Sequence, residues 1–217
     1  ENLARRTVEA FGGVHLLFNN AGVGAGGPIW ESTDADWEWV LGVNLRGMIH
    51  GLRVFVPIML AQGTEGHIVN TASIAGLLPY HPSAPYQTTK FAVVGLSENL
   101  YHSLAMLGSR VKASVLCPGW VRTNIITSER NRPADLQNPP PPPLPPEVQA
   151  AVDKMLQAMT AACNAGLPPE VVAEAVFAAI REEKFYIIVG DMDFKSALQQ
   201  RLEDVVLARN PAGMASA

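Results

Sequence analysis

Tyr86 and Lys90 stand four residues apart in a stretch that reads as helix. That spacing puts both side chains on one face, with Cβ atoms about 5–6 Å apart. A free tyrosine titrates near 10 and is a poor acid–base catalyst at neutral pH. A nearby ammonium favours the phenolate and lowers that value; a drop of about 3 units corresponds to roughly 4 kcal/mol. Such a phenol could pass a proton to or from an alcohol or carbonyl oxygen. The other tyrosines lack the pairing: Tyr80, Tyr101 and Tyr186 have Ala84, Ala105 and Gly190 four residues on. Ser73 lies thirteen residues before Tyr86, at the end of an apolar run, where its hydroxyl could hold a substrate carbonyl. Asn44 falls in the long helical pattern before it.

Those residues need elements to hold them. Leu3, Thr7, Val8 and Phe11 recur at helical spacing, and Gly12-Gly13 stops that helix. Val14–Phe18 reads as a buried strand running into Asn19-Asn20-Ala21-Gly22. Thr33 with Asp36 makes a capping box, and a helix is expected from about Asp34 to Leu60, bent near Pro57. Ile68–Thr71 is a second strand, 85–107 a helix, and Val111–Cys117 a third strand ended by Pro118-Gly119. Helix 168–183, strand Phe185–Val189 and helix 193–208 follow. This alternation predicts an α/β fold: a parallel sheet covered by helices on both faces. The candidate residues fall at carboxyl ends of strands or on helices beside them, where open α/β sheets bind ligands. Pro139–Pro143, Leu144, Pro145 and Pro146 favour extended polyproline II, as a stiff connector, a ligand for a proline-recognition domain or a lid margin.

Composition narrows the classes. With 217 residues, one large domain is the simplest reading. The chain is 48% hydrophobic and 17% charged, which argues against global disorder. A net charge of −4 argues against a nucleic-acid binder. Two cysteines, Cys117 and Cys163, cannot build a disulfide scaffold or a Cys-rich zinc site, and the histidines show no metal spacing, so no metal is expected. No long unbroken apolar run indicates a membrane span. Without a basic-then-apolar leader in the opening residues, a cytoplasmic location is the expectation. A serine hydrolase is disfavoured for want of a Gly-x-Ser-x-Gly elbow.

Taken together, Asn19-Asn20-Ala21-Gly22, Asn44 in Val43-Asn44-Leu45-Arg46-Gly47, Ser73 in Thr71-Ala72-Ser73, Tyr86-Gln87-Thr88-Thr89-Lys90 and Pro118-Gly119-Trp120-Val121-Arg122-Thr123 resemble a classical short-chain dehydrogenase/reductase. The likeness is dense from about residue 14 to 124 and looser to about 190. It implies a Rossmann-like, doubly wound parallel sheet in three α/β/α layers. It implies a single domain over 1–217, with 124–167 as a Pro-rich lid or substrate loop within it. The implied activity is NAD(P)-dependent interconversion of a secondary alcohol and a ketone, with NAD or NADP as cofactor. Tyr86 would be the general acid/base, and Lys90 would lower its pKa and bind the nicotinamide ribose. Ser73 would hold the substrate oxygen, and Asn44 would anchor a water in a proton relay to Lys90. Asn19, Ala21 and Gly22 would line the adenosine side of the cofactor, with Asn19 also tying strands together. Pro118, Gly119, Val121 and Thr123 would contact its nicotinamide end. His81 and Trp120 are candidates for the substrate mouth beside Ser73 and Tyr86, and Leu77, Leu78 and 125–146 suggest a fairly apolar substrate. Partners would be that small molecule and, in a full-length parent, further copies as a homodimer or homotetramer, with no nucleic acid and no membrane.

The pattern also departs from the family. Its N-terminal third, with the glycine-rich pyrophosphate turn, does not precede residue 19, so the chain is expected to be cut from something longer. Gly22-Val23-Gly24-Ala25-Gly26-Gly27 fits G-x-G-x-x-G, but Pro28-Ile29-Trp30 intervene before any helix, and the fingerprint needs a helix opening at once. It reads instead as a flexible loop. An alternative is a non-catalytic fragment or scaffold of the same fold that cannot bind cofactor alone. A dehalogenase-like relative would carry Arg where Lys90 stands. Cys117 is expected to be buried and inert, and Trp30, Trp37 and Trp39 to be packing residues.

Overall fold

The computed structural model describes residues 1–79, 81–140, 142–190 and 194–211. Four parallel strands lie in the order β1-β2-β3-β4: β1 Leu16–Asn19, β2 Gly66–Thr71, β3 Val111–Pro118 and β4 Tyr186–Val189. Helices α1 (Asn2–Phe11), α2 (Asp34–Leu41), α3 (Gly47–Gln62), α4 (Ala84–Met106), α5 (Pro146–Ala165), α6 (Pro169–Arg181) and α7 (Phe194–Val206) surround them.

The sheet alternates because strand side chains point to opposite faces. Ile68, Ala113 and Val115 pack with Met48, Leu52, Phe55 and Met59 of α3 and with Val93, Val94 and Leu104 of α4. Val69, Leu116 and Ile187 pack on the other side with Val172, Val176 and Ala179 of α6. The result is the expected α/β/α layering. Leu96 and Leu100 join Val93 and Leu104 against the larger core.

Several local expectations need correction. The expected 34–60 helix is interrupted by a π-helical turn at Gly42–Arg46, which contains Asn44, while Pro57 sits inside α3. The first strand lies on an edge of the sheet, so Leu16 and Phe18 are exposed at 45% and 44%, not buried. The second strand ends at Thr71, and Ser73 caps a short 3₁₀ turn, Ile74–Gly76. Trp39 is buried, but Trp30 is 80% exposed, its indole N–H donating to Glu31 Oε1 at 3.3 Å. The stretch 124–167, expected to be lid or loop, contains α5, whose first turn carries Pro146; proline's fixed φ suits that position. Thr33 does form the capping box with Asp36 at the start of α2.

Candidate active site

Ser73, Tyr86, Lys90 and Asn44 come together at the carboxyl ends of β1, β2 and β3. Ser83 caps α4: its hydroxyl accepts the Tyr86 amide at 3.3 Å and donates to the carbonyl of Ala25. Tyr86 and Lys90 then follow on one face of α4, with the Lys90 ammonium 5.4 Å from the centre of the Tyr86 ring. Ser73 reaches the same place from β2. Its Oγ accepts the Ala75 amide at 3.1 Å, and its hydroxyl is hydrogen-bonded to the Tyr86 phenol. Asn44 is buried, and its amide locks the chain after β1: Oδ1 accepts from Val23 N at 2.8 Å, while Nδ2 donates to Val23 O at 2.9 Å and Thr89 Oγ1 at 3.2 Å.

The electrostatics differ from the simple expectation. Burial pushes the Tyr86 phenol above the ordinary tyrosine value, and the Ser73 hydrogen bond only partly opposes it. Lys90 does not offset that burial; its ammonium lies 5.4 Å from the ring centre and donates to the Thr71 carbonyl at 3.1 Å. Burial pushes Lys90 itself down to about 8, with Cys117 in partial opposition. The Cys117 thiol is fully buried and is raised to about 12 by that burial, which agrees with an inert residue. At neutral pH the site therefore holds a neutral phenol beside an ammonium.

The expected cofactor-side residues lie on the same rim. Asn19 Nδ2 donates to Asn70 Oδ1 at 2.9 Å and so ties β1 to β2; Asn70 Nδ2 in turn reaches Ser97 of α4 at 3.0 Å. Ala21 is exposed. A Cβ on Gly22 would lie 3.6 Å from both Asn44 Oδ1 and Lys90 Nζ, so a bare backbone lines that crevice. Pro118 ends β3; a Cβ on Gly119 would meet the Phe194 ring at 3.0 Å. Val121 bridges Leu167, and Cys163 Sγ donates to the carbonyls of Val121 and Thr123 at 3.2 and 3.4 Å. Trp120 is half-buried, and its backbone carbonyl accepts from Leu167 at 3.0 Å; no contact places its ring at Tyr86 or Ser73. Leu78 is buried and Leu77 half-buried in the turn after Ser73. No helix follows Gly22–Gly27 until Asp34, as the rejection of a pyrophosphate turn requires. The loop is held, not free: Gly24 N donates to Ser128 Oγ at 3.2 Å, and Gly27 O accepts from Ala84 N at 2.9 Å.

Sequence reading missed several supports. Thr89, fully buried, donates to the Tyr86 carbonyl at 2.8 Å and accepts from Asn44; its place within one turn of Tyr86 and Lys90 was the available signal. Gln87 Nε2 bonds the Leu78 carbonyl at 3.1 Å and the Ala75 carbonyl, registering the Ser73 turn against α4. On the far side, buried Arg132 pairs with buried Asp36 at 2.7 Å, and Asn138 Nδ2 donates to Asp36 Oδ1 at 2.9 Å. Burial alone would raise Asp36, but the Thr33 amide, Arg132 and Asn138 outweigh it and hold the carboxyl below its usual value. This cluster fastens the 125–138 segment to α2, and no local pattern announces it.

Comparison with known proteins agrees with this geometry. Residues 1–134 match the family model described as short chain dehydrogenase. The chain belongs to the short-chain dehydrogenase/reductase family. It is 32% identical over 206 residues to a CLA biosynthesis dehydrogenase/reductase of Lactiplantibacillus plantarum, covering 95% of this chain and 71% of that one. It is 34% identical over 186 residues to 3beta-hydroxysteroid dehydrogenase 2 of Eggerthella lenta, covering 85% and 65%. A crystal structure of a short-chain dehydrogenase/reductase from Burkholderia phymatum in complex with NAD superposes with a TM-score of 0.89. It is 48% identical and covers 100% of this chain and 75% of its own. The chain thus spans about two thirds to three quarters of the length of these relatives. Membership makes it an oxidoreductase chain of an NAD(P)-dependent family that acts on small molecules. Among the described residues, no helix is long and apolar enough to cross a membrane.

Proposed function

We propose that this chain carries the acid–base machinery of an NAD(P)-dependent enzyme that interconverts a secondary alcohol and a ketone. The observation that carries the reading is the phenol of Tyr86, which meets the Ser73 hydroxyl while the Lys90 ammonium lies 5.4 Å from its ring centre. NAD(P), when bound, supplies or accepts the hydride. Lys90 and the bare backbone at Gly22 fit its ribose end: a buried cation and a crevice without a side chain face each other there. Pro118, Gly119, Val121 and Thr123 form the opposite wall.

In reduction, Tyr86 donates its proton to the carbonyl oxygen as that oxygen becomes an alkoxide. A phenol raised by burial is in the acid form that this step needs. Ser73 Oγ accepts the Ala75 amide, which leaves its own proton to donate to the same oxygen. In oxidation, Tyr86 must take the alcohol proton as phenolate. Lys90 favours that form once its ammonium turns from the Thr71 carbonyl toward the site. Asn44 holds Val23, and through it the loop over Gly22, so its role is to keep the crevice open as much as to carry a relay. His81 and Leu78 stand at the substrate mouth.

The test titrates the chain with NADH and NADPH by nicotinamide fluorescence, then assays carbonyl reduction. Tyr86→Phe should leave cofactor affinity in place and lower turnover by about 10²–10⁴-fold. Full turnover in that variant overturns the reading, and a folded chain that binds neither cofactor favours the scaffold alternative.

A further inference from the structure

The loop between Ser73 and Tyr86 carries a histidine whose place is specific. The imidazole of His81 lies on the Tyr86 phenol, ring centres 4.4 Å apart and planes inclined by 33°. It is held from behind at two points. The Ser83 amide donates to Nδ1 at 3.1 Å, and the His81 amide donates to Gln87 Oε1 at 2.8 Å. Ser83 is the cap of α4, and Gln87 is the residue after Tyr86. The ring is thus fastened to the same helical turn that carries the phenol it covers.

This arrangement selects one form of the ring. A nitrogen that accepts an N–H is bare, so neutral His81 carries its proton on Nε2. A second proton on Nδ1 would point at the Ser83 amide proton. It would also place a cation at the N-terminus of a 23-residue helix, where the helix dipole opposes it. Burial lowers His81 below its ordinary value, against a smaller opposing contribution from the Ser83 backbone. Among the described residues the titratable groups on this side are few: Tyr86 in contact, Lys90 beyond it on α4, and the thiol of Cys117 on β3. No carboxylate forms an ion pair with the ring.

We propose that His81 is a positioning residue for Tyr86: a neutral, Nε2-protonated imidazole that clamps the phenol ring in the orientation that meets Ser73. The proposal deepens the reading of Tyr86 as acid–base group and rests on it. Protonation of His81 costs the Ser83 contact and releases the clamp, so the fully engaged site exists above the His81 pKa and is lost as pH falls through it.

Three variants separate the parts. His81→Phe keeps a ring on the phenol and cannot titrate. His81→Asn keeps an acceptor for the Ser83 amide and has no ring. His81→Ala has neither. Two readouts need no turnover. Nitrogen-15 NMR of labelled chain should show His81 as the neutral Nε2–H tautomer at pH 7. Tyrosinate absorbance, read as the difference from the matching Tyr86→Phe chain, should show Tyr86 titrating above the free value. In His81→Ala and His81→Asn it should fall back toward about 10, and in His81→Phe it should stay raised. With cofactor and substrate, His81→Ala should lose about 10-fold to 100-fold in kcat, the scale of a misplaced catalytic group, with KM changed far less. His81→Phe, which keeps the ring and loses the Ser83 contact, should lose less kcat than His81→Ala and should lose the acid limb of the pH profile. An Nδ1–H tautomer overturns the proposal, as does a Tyr86 titration that ignores the loss of the ring. If Tyr86→Phe keeps full turnover, the acid–base reading falls, while the tautomer and tyrosinate measurements still decide whether His81 clamps the phenol.

Discussion

The corner around Tyr86 and the stretch from Pro139 to Ala165 are built on opposite principles. In the corner, two polar side chains tie separate segments together: Asn44 holds Val23 and Thr89, and Gln87 holds Ala75, Leu78 and His81. In the stretch, the described prolines are exposed and the 20-residue α5 buries only Cys163. The first region is over-determined and the second is tethered near its two ends, by Arg132 and Asn138 before it and by Cys163 at its close. A catalytic constellation needs side chains held to within a fraction of an ångström, whereas a surface segment with almost no buried side chain needs only firm ends. The difference teaches where substitution should matter.

The largest effect should come from cutting the forward tether. Arg132→Met removes the cation of a buried pair and leaves the Asp36 carboxylate with only its Thr33 and Asn138 hydrogen bonds, a loss of about 3 kcal/mol in denaturant unfolding, the lower end of what breaking a buried pair costs. The Asp36 contribution also has a pH signature. Its folded value is depressed, so its stabilisation is present above the unfolded aspartate value and is lost as pH falls through the folded one. Unfolding midpoints that do not move in Arg132→Met would mean that the 125–138 segment is not fastened as described.

Next comes a glycine of the corner. A Cβ on Gly76 would lie 2.5 Å from the Lys90 carbonyl oxygen and 2.9 Å from its carbon, both backbone atoms that cannot turn aside. Gly76→Ala should therefore cost about 1–3 kcal/mol and push the Ser73 turn off α4, lowering turnover more than it raises KM. Gly95, on the same helix, has nothing within 4 Å of such a Cβ. Gly95→Ala should add up to about 1 kcal/mol by helix propensity. Equal effects at the two sites would mean that the Ser73 turn is not pressed against α4 as described.

Lys90 shows what the corner costs the fold. Burial holds its folded value near 8, below the 10.5 of a free lysine. Its charged form is penalised in the folded state, so the penalty is complete below about 8 and fades as pH rises toward 10.5. Stability should accordingly climb across that window. Lys90→Met should remove the climb and add about 1–2 kcal/mol at neutral pH, an order-of-magnitude figure for a buried charge replaced by an apolar chain. Turnover should be lost at the same time. A less stable Lys90→Met chain would mean that the bond to the Thr71 carbonyl outweighs desolvation.

Legibility in the sequence follows the same division. The Tyr86–Lys90 spacing and the Thr33–Asp36 box are local patterns, and local geometry carries them into the fold; Ser73 lies two residues past the strand end expected for it, as the cap of a 3₁₀ turn. The strands were readable as short apolar runs between turn residues. What depended on distant partners was not readable. The direction of the Tyr86 shift turns on burial and on where the Lys90 ammonium goes, and spacing along a helix reports neither. The π-helical turn adds one residue to a helix without disturbing its apolar pattern. The Asp36–Arg132 pair joins two segments with no pattern in common. α5 was hidden by the proline run before it, because Pro146, read as part of a connector, is the first helical residue.

The smallest effect is expected on the outer face of α5. Met155 is 43% exposed, beside Leu156 at 47%, and Val148 near the helix start is 47% exposed. Methionine and glutamine have nearly equal helix propensity. Met155→Gln should therefore change stability by less than about 0.5 kcal/mol, as for a surface position with no buried partner. Thermal unfolding of that variant beside Arg132→Met measures the contrast between tether and span directly. A cost above about 1 kcal/mol would mean that this face is covered in solution. The span would then be held along its length, and the two regions would differ in kind of partner instead of in number of fixed points.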